Sequence, residues 1–208
     1  MSNESQDTAP QSEQTKMNPL LVPLFDELSG ERVILRPYQE TDAAGLHDAV
    51  DESREHLRPW LPFYNQHNSV DEALSWIISA KARWLLRESM NCALIEAATG
   101  RYLGGIGLHV HSWEIPYFEI GYWLRKSAEG HGYITEAARL LTDFALNNLR
   151  AKRVEIRCDE LNTASANVAR RLGYLEEGCF RNDFQSPEGA VRNTLVFSRI
   201  PGETRNEK

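Results

Sequence analysis

Residues 119–137, EIGYWLRKSAEGHGYITEA, pass from a strand pattern through a polar loop with two glycines around a histidine into a helical pattern. In the first part Glu119, Gly121 and Trp123 fall on one strand face. In the last part Ile134, Ala138, Leu141 and Ala145 recur at helical spacing, which gives that helix a side to bury. A helix start exposes unpaired backbone NH groups and a partial positive charge. Glycine at 130 and 132 removes the side chains that would hold an anion away from them, so the join suits a phosphate. A mononucleotide P-loop would need a Lys-Ser or Lys-Thr pair after the glycines, and a Rossmann fingerprint would need a third glycine where Thr135 stands. Both are excluded.

Outward from this join, the chain alternates between short strands and amphipathic helices. ERVILRPY (31–38) predicts a strand. Thr41 or Asp42 then caps a helix with Ala43, Leu46, Val50 and Leu57 on one side, which the prolines of RPWLPFYN (58–65) end. Ser69 and Glu72 form a capping box for a second helix, whose stripe is Ala73, Ile77, Ala80 and Trp84. NCALIEA (91–97), YLGGIGLHV (102–110) and YFEIGYWL (117–124) read as strands, the first two joined by a turn at Thr99-Gly100. Beyond the glycine loop and its helix, RVEIRC (153–158) predicts a strand and TASANVARRLG (163–173) a short helix closed by Gly173. LEEGCFRN (175–182) and NTLVFSRI (193–200) form a last antiparallel pair. The order predicts an α/β fold of the mixed type, with helices on both faces of one sheet.

The chain has 208 residues, 41% of them apolar, enough for one domain with a full core, and no apolar run long enough to span a membrane. No repeat or linker divides residues 19–202. Residues 1–18 hold almost no apolar side chains and are expected to form a disordered tail; residues 203–208 form a flexible one. Residues 19–202 carry 20 basic and 25 acidic side chains, a balance that disfavours a nucleic-acid partner and favours cationic ones. Cys92, Cys158 and Cys179 are odd in number and widely spaced, which supports neither a disulfide framework nor a zinc site. Without a secretory signal or transit pattern, a cytoplasmic protein with no membrane partner is expected. His109 and His111 share a strand face, but no third ligand follows at metal-site spacing, so no metal is expected.

FEIGYWL, SAEGHGYITEA and, about thirty residues later, LNTASANVARRLGYLEEG resemble, in order and spacing, the acetyl-coenzyme A core of the GNAT N-acetyltransferases. The likeness covers residues 31 to 200 and extends to the Rim-type branch, the ribosomal-protein N-terminal acetyltransferases, which carry similar EIGYWL, GxGxxTEA and NxxS segments. It implies a largely antiparallel GNAT-like sheet and acetyl-coenzyme A as co-substrate, bound by direct transfer in a ternary complex. The resemblance makes the glycine loop a pyrophosphate cradle of Glu129, Gly130, His131, Gly132, Tyr133, Ile134 and Thr135. One departure stands out: Ser127 and Glu129 occupy positions where the family usually has Gln or Arg and a basic residue, so Arg125 or Lys126 is expected to supply the missing cation.

Acetyl transfer to an amine needs a base, a donor for the oxyanion and help for the departing thiolate. The resemblance assigns the first to Glu119, directly or through water; a carboxylate merely paired with a neighbouring cation is the alternative. It points the backbone NH of Trp123 at the thioester oxygen and lines the pantetheine with Leu124 and Arg125. It makes Ser165 the proton donor to the thiolate, with Asn162 and Asn167 bonding the pantetheine or nearby backbone; for Asn162 and Ser165 helix capping is the alternative. Arg58, Trp60 and Phe63, with Arg181, Asp183 and Phe184, are candidates for the acceptor lips, packing being the alternative for the aromatics. The acceptor the Rim-type likeness implies is a protein N-terminal amine. A small amine, such as an aminoglycoside or polyamine, and a non-catalytic acyl-coenzyme A binding module remain open. A homodimer is common in that branch.

Overall fold

The structure is a computed structural model that describes residues 18–61 and 65–203. Its sheet has 8 strands in the order β1-β2-β3-β4-β5-β6-β8-β7. The strands are β1 Leu28–Ser29, β2 Val33–Pro37, β3 Ser89–Glu96, β4 Tyr102–Ser112, β5 Tyr117–Leu124, β6 Arg153–Asp159, β7 Leu175–Gln185 and β8 Val191–Arg199. The helices are α1 Ala43–Leu57, α2 Val70–Leu86, α3 Tyr133–Asn147 and α4 Thr163–Arg171. All neighbouring strands run antiparallel except β5 and β6. The elements expected from the pattern are present in the expected order. The two-residue strand β1 is additional, being too short to show a period.

α1, α2 and α3 bury the stripes their sequence spelled out. In α1 and α2 the residues at helical spacing, from Ala43 to Leu57 and from Ala73 to Trp84, are all buried. Ala43, Leu46, Val50, Ala73, Ile77 and Ala80 join Tyr38, Ala93, Ile95 and Tyr102 in a core on one face of the sheet, and Trp84 packs with the residues of the opposite core. On the other face, α3 and α4 cover Phe118, Ile120 and Ile156 with Ile134, Ala138, Leu141, Ala145 and Ala169. The caps differ in detail. A 3₁₀ turn over Glu40–Asp42 precedes α1, and Asp42 turns back to accept from the Gln39 NH at 2.8 Å and to pair with Arg36 at 2.7 Å. Asp42 therefore does not cap α1 with its side chain. The Ser69 hydroxyl accepts from the Glu72 NH at 3.1 Å, while the Glu72 carboxylate returns to the NH of Asn68 rather than to that of Ser69. Asn18, the last residue of the expected tail, caps the turn over Pro19–Leu21; residues 1–17 lie outside the described residues.

What matters for function is where the sheet comes apart. β5 and β6 pair in parallel only from Tyr117–Arg153 to Glu119–Glu155. Past that point β5 stays with β4 as far as Leu124, and β6 stays with β8 as far as Asp159, so a gap opens between them. The glycine loop, α3 and α4 stand around this gap.

Phe118 lies at the last stretch where the sheet is continuous and is fully buried, its ring edge-on to Trp113 at 5.2 Å. Replacing Phe118 with Ala should cost about 3 to 5 kcal/mol in a urea unfolding titration, and Leu85→Ala, on the exposed side of α2, should stay within about 0.5 kcal/mol of the parent.

Candidate active site

The gap continues into a cleft of about 1070 Å³, bounded by β5, the glycine loop, the end of β6 and α4. The loop begins with a 3₁₀ turn over Lys126–Ala128, which α1 holds in place: the Glu52 carboxylate accepts from the Ser127 NH at 2.8 Å and the Ser53 hydroxyl from the Lys126 NH at 3.0 Å. Gly130 and Gly132 follow at φ +80° and +76°, in the left-handed region where glycine carries no steric cost. Gly132 is the N-cap of α3, and the first closed turn is the Glu136 NH to the Gly132 carbonyl at 3.1 Å. The NH groups of Tyr133, Ile134 and Thr135 therefore precede the helical ladder, and all three residues line the cleft. A Cβ added at Gly130 would meet nothing within 4 Å, so the loop leaves open space beside those NH groups.

The charges near the loop differ from expectation. Arg125 does not line the cleft. Its guanidinium pairs with Glu52 and donates to the Tyr102 carbonyl at 3.1 Å. Lys126 pairs with Glu129 at 2.5 Å, and His56 approaches the same carboxylate at 2.8 Å. Arg125 and Lys126 thus each meet a carboxylate, Arg125 that of Glu52 on α1 and Lys126 that of Glu129 within the loop. Two cations reach the start of α3: Arg32, which donates to the His131 carbonyl at 2.9 Å and is paired with Glu136 at 2.8 Å, and Arg171, from the last turn of α4, which lines the cleft and donates to the Thr135 hydroxyl at 2.9 Å. The signal of Arg171 was in the sequence, since Ser165, Val168 and Arg171 are three residues apart and share a helix face.

The structure brings Glu119, Leu124, Trp123, Glu129, Gly130, Gly132, Asn162, Ser165, Trp60, Asp183 and Phe184 to the cleft, together with the first residues of α3. Arg125, His131, Asn167, Arg58 and Arg181 are not among its lining residues. His131 stacks on Tyr133 with ring centroids 5.5 Å apart, Asn167 faces Arg170, and Arg58 pairs with Glu55 and Glu188. Arg181 is exposed on the outer strand β7, and Phe63 lies outside the described residues. Tyr122, Arg157, Asp159 and His56 line the cleft without having been singled out. By strand alternation the Tyr122 side chain points to the face opposite Glu119, and the cleft is lined from both faces because the sheet is split there.

Glu119 is both paired and in the cleft: its carboxylate meets the His111 ring at 3.0 Å and the Arg157 guanidinium at 3.8 Å. The expected use of the Trp123 NH does not suit the register. The NH of Arg125 donates to the Leu103 carbonyl on β4 at 2.8 Å, so alternation turns the NH of Trp123, two residues earlier, to β4 as well. The NH of Leu124 is the one turned toward the gap. Asn162 caps α4, its side chain accepting from the Ser165 NH at 3.0 Å. Ser165, at the third helical position, is not a cap; its hydroxyl meets that of Tyr122 at 2.9 Å.

Residues 32–175 match the acetyltransferase (GNAT) domain. The chain belongs to this family. YdaF of Bacillus subtilis (strain 168), which carries the name of a ribosomal N-acetyltransferase, is 32% identical over 181 residues, or 86% of this chain and 96% of its own. A crystal structure described as an acetyltransferase superimposes with a TM-score of 0.78 at 28% identity, over 84% of this chain and 97% of that one. RimL, a ribosomal L7/L12 alpha-N-protein acetyltransferase solved with coenzyme A, shares the fold with a TM-score of 0.75 at 22% identity, over 82% and 95% of the two chains. The protein is thus an acyltransferase of the GNAT family with a mixed, mostly antiparallel sheet. Among the described residues, no helix is long and apolar enough to cross a membrane, and no group of three His, Cys, Asp or Glu is placed to hold a metal ion.

The Arg125 guanidinium holds the Glu52 carboxyl down at about 2, well below the ordinary glutamate value of about 4.3. A carboxyl depressed by folding stabilises the protein above its unfolded pKa and loses that contribution as the pH falls toward the folded one. In urea titrations, wild-type stability should therefore fall between about pH 4.5 and pH 2, and Glu52→Gln should show a shallower fall over the same window while being less stable at pH 7.

Proposed function

We propose that this GNAT protein transfers an acetyl group from acetyl-coenzyme A to the N-terminal amine of a protein, as in ribosomal-protein acetylation. The observation that carries the acceptor class is the likeness to YdaF over 96% of that protein's length. The cleft fits the co-substrate on its own evidence. The open space at Gly130, the NH groups that begin α3 and the Arg171 guanidinium are suited to a diphosphate. The unpaired edge of β5 offers backbone groups to an amide-bearing arm such as pantetheine.

In this proposal the acceptor enters past Trp60, Asp183 and Phe184, and its nitrogen meets the thioester in the gap beside Glu119. Glu119, directly or through a water, takes the proton the amine loses; His111 at 3.0 Å lies on the way to solvent. The NH of Leu124 donates to the carbonyl oxygen as it gains charge. As the C–N bond forms and the C–S bond breaks, the Ser165 hydroxyl serves the departing sulfur. Residues 19–202 act as one domain, in the cytoplasm, with β7 as the open sheet edge a homodimer would use.

Thiol release from acetyl-coenzyme A, measured with a panel of peptides and a panel of small amines, tests the acceptor: turnover confined to peptides is expected. Turnover confined to small amines overturns the acceptor class, and coenzyme binding without turnover on either panel favours a non-catalytic module. Gly130→Val should weaken acetyl-coenzyme A binding in calorimetry, because the added methyl groups fill the cradle and β-branching is strained at a positive φ. Unchanged affinity in the folded variant would place the diphosphate elsewhere. Glu119→Gln should lower turnover about 10²- to 10⁴-fold with coenzyme affinity retained; equal turnover and an unchanged acidic limb of the pH profile would make Glu119 a structural ion-pair partner only.

A further inference from the structure

Ser165 is held from two sides. Its NH donates to the Asn162 side chain at 3.0 Å, which sets its backbone at the start of α4. Its hydroxyl lies 2.9 Å from the hydroxyl of Tyr122, which reaches it across the cleft from β5 and also donates to the Ser165 carbonyl at 3.2 Å. Both residues line the cleft. Among the described residues Tyr122 has no other hydrogen-bond partner, and burial pushes its hydroxyl pKa up, so the phenol keeps its proton throughout the working range.

A serine hydroxyl has one proton and can aim it at only one acceptor. If Ser165 spends that proton on Tyr122, none faces the cleft. When the phenol directs its proton at the serine oxygen rather than at the Ser165 carbonyl, the serine proton is left for the groups on its other side, the Cys158 sulfur at the cleft wall and a group in the gap. The departing thiolate is such a group. It requires no full proton: a thiol ionises near pH 8.5, whereas an alcohol is a far weaker acid, so transfer from serine to sulfur would run uphill. A fixed hydrogen bond is sufficient, and it strengthens as negative charge gathers on sulfur.

We infer that Tyr122 is a positioning residue that locks the Ser165 hydroxyl as a hydrogen-bond donor to the leaving sulfur, without a proton passing along the pair. The inference rests on the acetyl-transfer reading and on the placement of Ser165 at the sulfur. In atom balance, the amine nitrogen gains the acetyl carbon and loses its proton to Glu119, the C–S bond breaks, and the thiolate leaves as an anion to be protonated by solvent. Tyr122 and Ser165 end as they began.

The test is a double-mutant cycle of Tyr122→Phe and Ser165→Ala, read as kcat, KM and the calorimetric Kd for coenzyme A. Tyr122→Phe keeps the ring and its packing, so coenzyme affinity should stay within about twofold while kcat falls about 2- to 13-fold, the equivalent of one ordinary hydrogen bond. In the Ser165→Ala background the same change should have no further effect, since Tyr122 acts only through Ser165. The pH profile of Tyr122→Phe should parallel that of the wild type at a lower level. Additive losses, or wild-type kcat in Tyr122→Phe, overturn the inference, and loss of the alkaline limb in that variant replaces positioning with a proton relay. Full activity in Ser165→Ala instead removes the role of Ser165 itself, and a wild-type protein that does not bind coenzyme A removes the acetyl-transfer reading.

Discussion

The parallel contact between β5 and β6 ends at the Glu119–Glu155 pair, and the site depends on its ending there. Each strand remains paired along its other edge, β5 with β4 and β6 with β8, so the sheet can part without either strand losing its support. The parting leaves a row of backbone donors and acceptors facing a gap instead of a neighbour. Backbone polar groups inside a protein need partners, and an extended ligand with amides can serve as one. The same parting makes one cleft accessible to side chains from both sheet faces, which is why Glu119 and Tyr122, of opposite parity on β5 and so on opposite faces, both line it.

Electrostatics around the cleft is largely settled within the protein. Glu52 takes up Arg125, and Arg101 lies 3.8 Å from the same carboxylate; Glu129 takes up Lys126 and His56. On β6, the buried Glu155 joins Arg153 and Arg157, with Glu177 from β7 closing the cluster. Arg153, with Ser198, holds Glu177 down at about 2. These pairs fasten α1 to the glycine loop and β6 to the outer hairpin. Arg171 differs in having only a neutral hydroxyl, that of Thr135, as its partner among the described residues. A cation left unneutralised at a helix start, where the backbone already favours negative charge, is placed to meet an anionic ligand.

The two ends of the cleft are tied together by one short helix. α4 presents Ser165 near its start and Arg171 at its close on the same side, with Val168 between them. Its N-cap by Asn162 therefore sets the position of the Ser165 hydroxyl and of the Arg171 guanidinium together. Tyr174, just past α4, bonds the buried hydroxyl of Thr142 on α3 at 2.7 Å, which fixes one wall of the cleft to the other.

The sequence by itself determined the element order, the buried stripes of α1 to α3 and the glycine join at 130 and 132, because periodicity and glycine's freedom at positive φ act within a few residues of chain. It also carried the family, through three motifs in order, and with them Glu119, Asn162 and Ser165 as residues of one site. Only the tertiary structure decided how these groups are engaged. That Arg125 is occupied by Glu52 and that Arg171 reaches the loop depends on α1 and α4, which are distant in sequence from the loop they meet. Which NH faces the gap depends on strand register, where a shift of one residue exchanges Trp123 for Leu124. The partnership of Ser165 with Tyr122 depends on the parting of the sheet, a contact across 43 residues that no local pattern encodes.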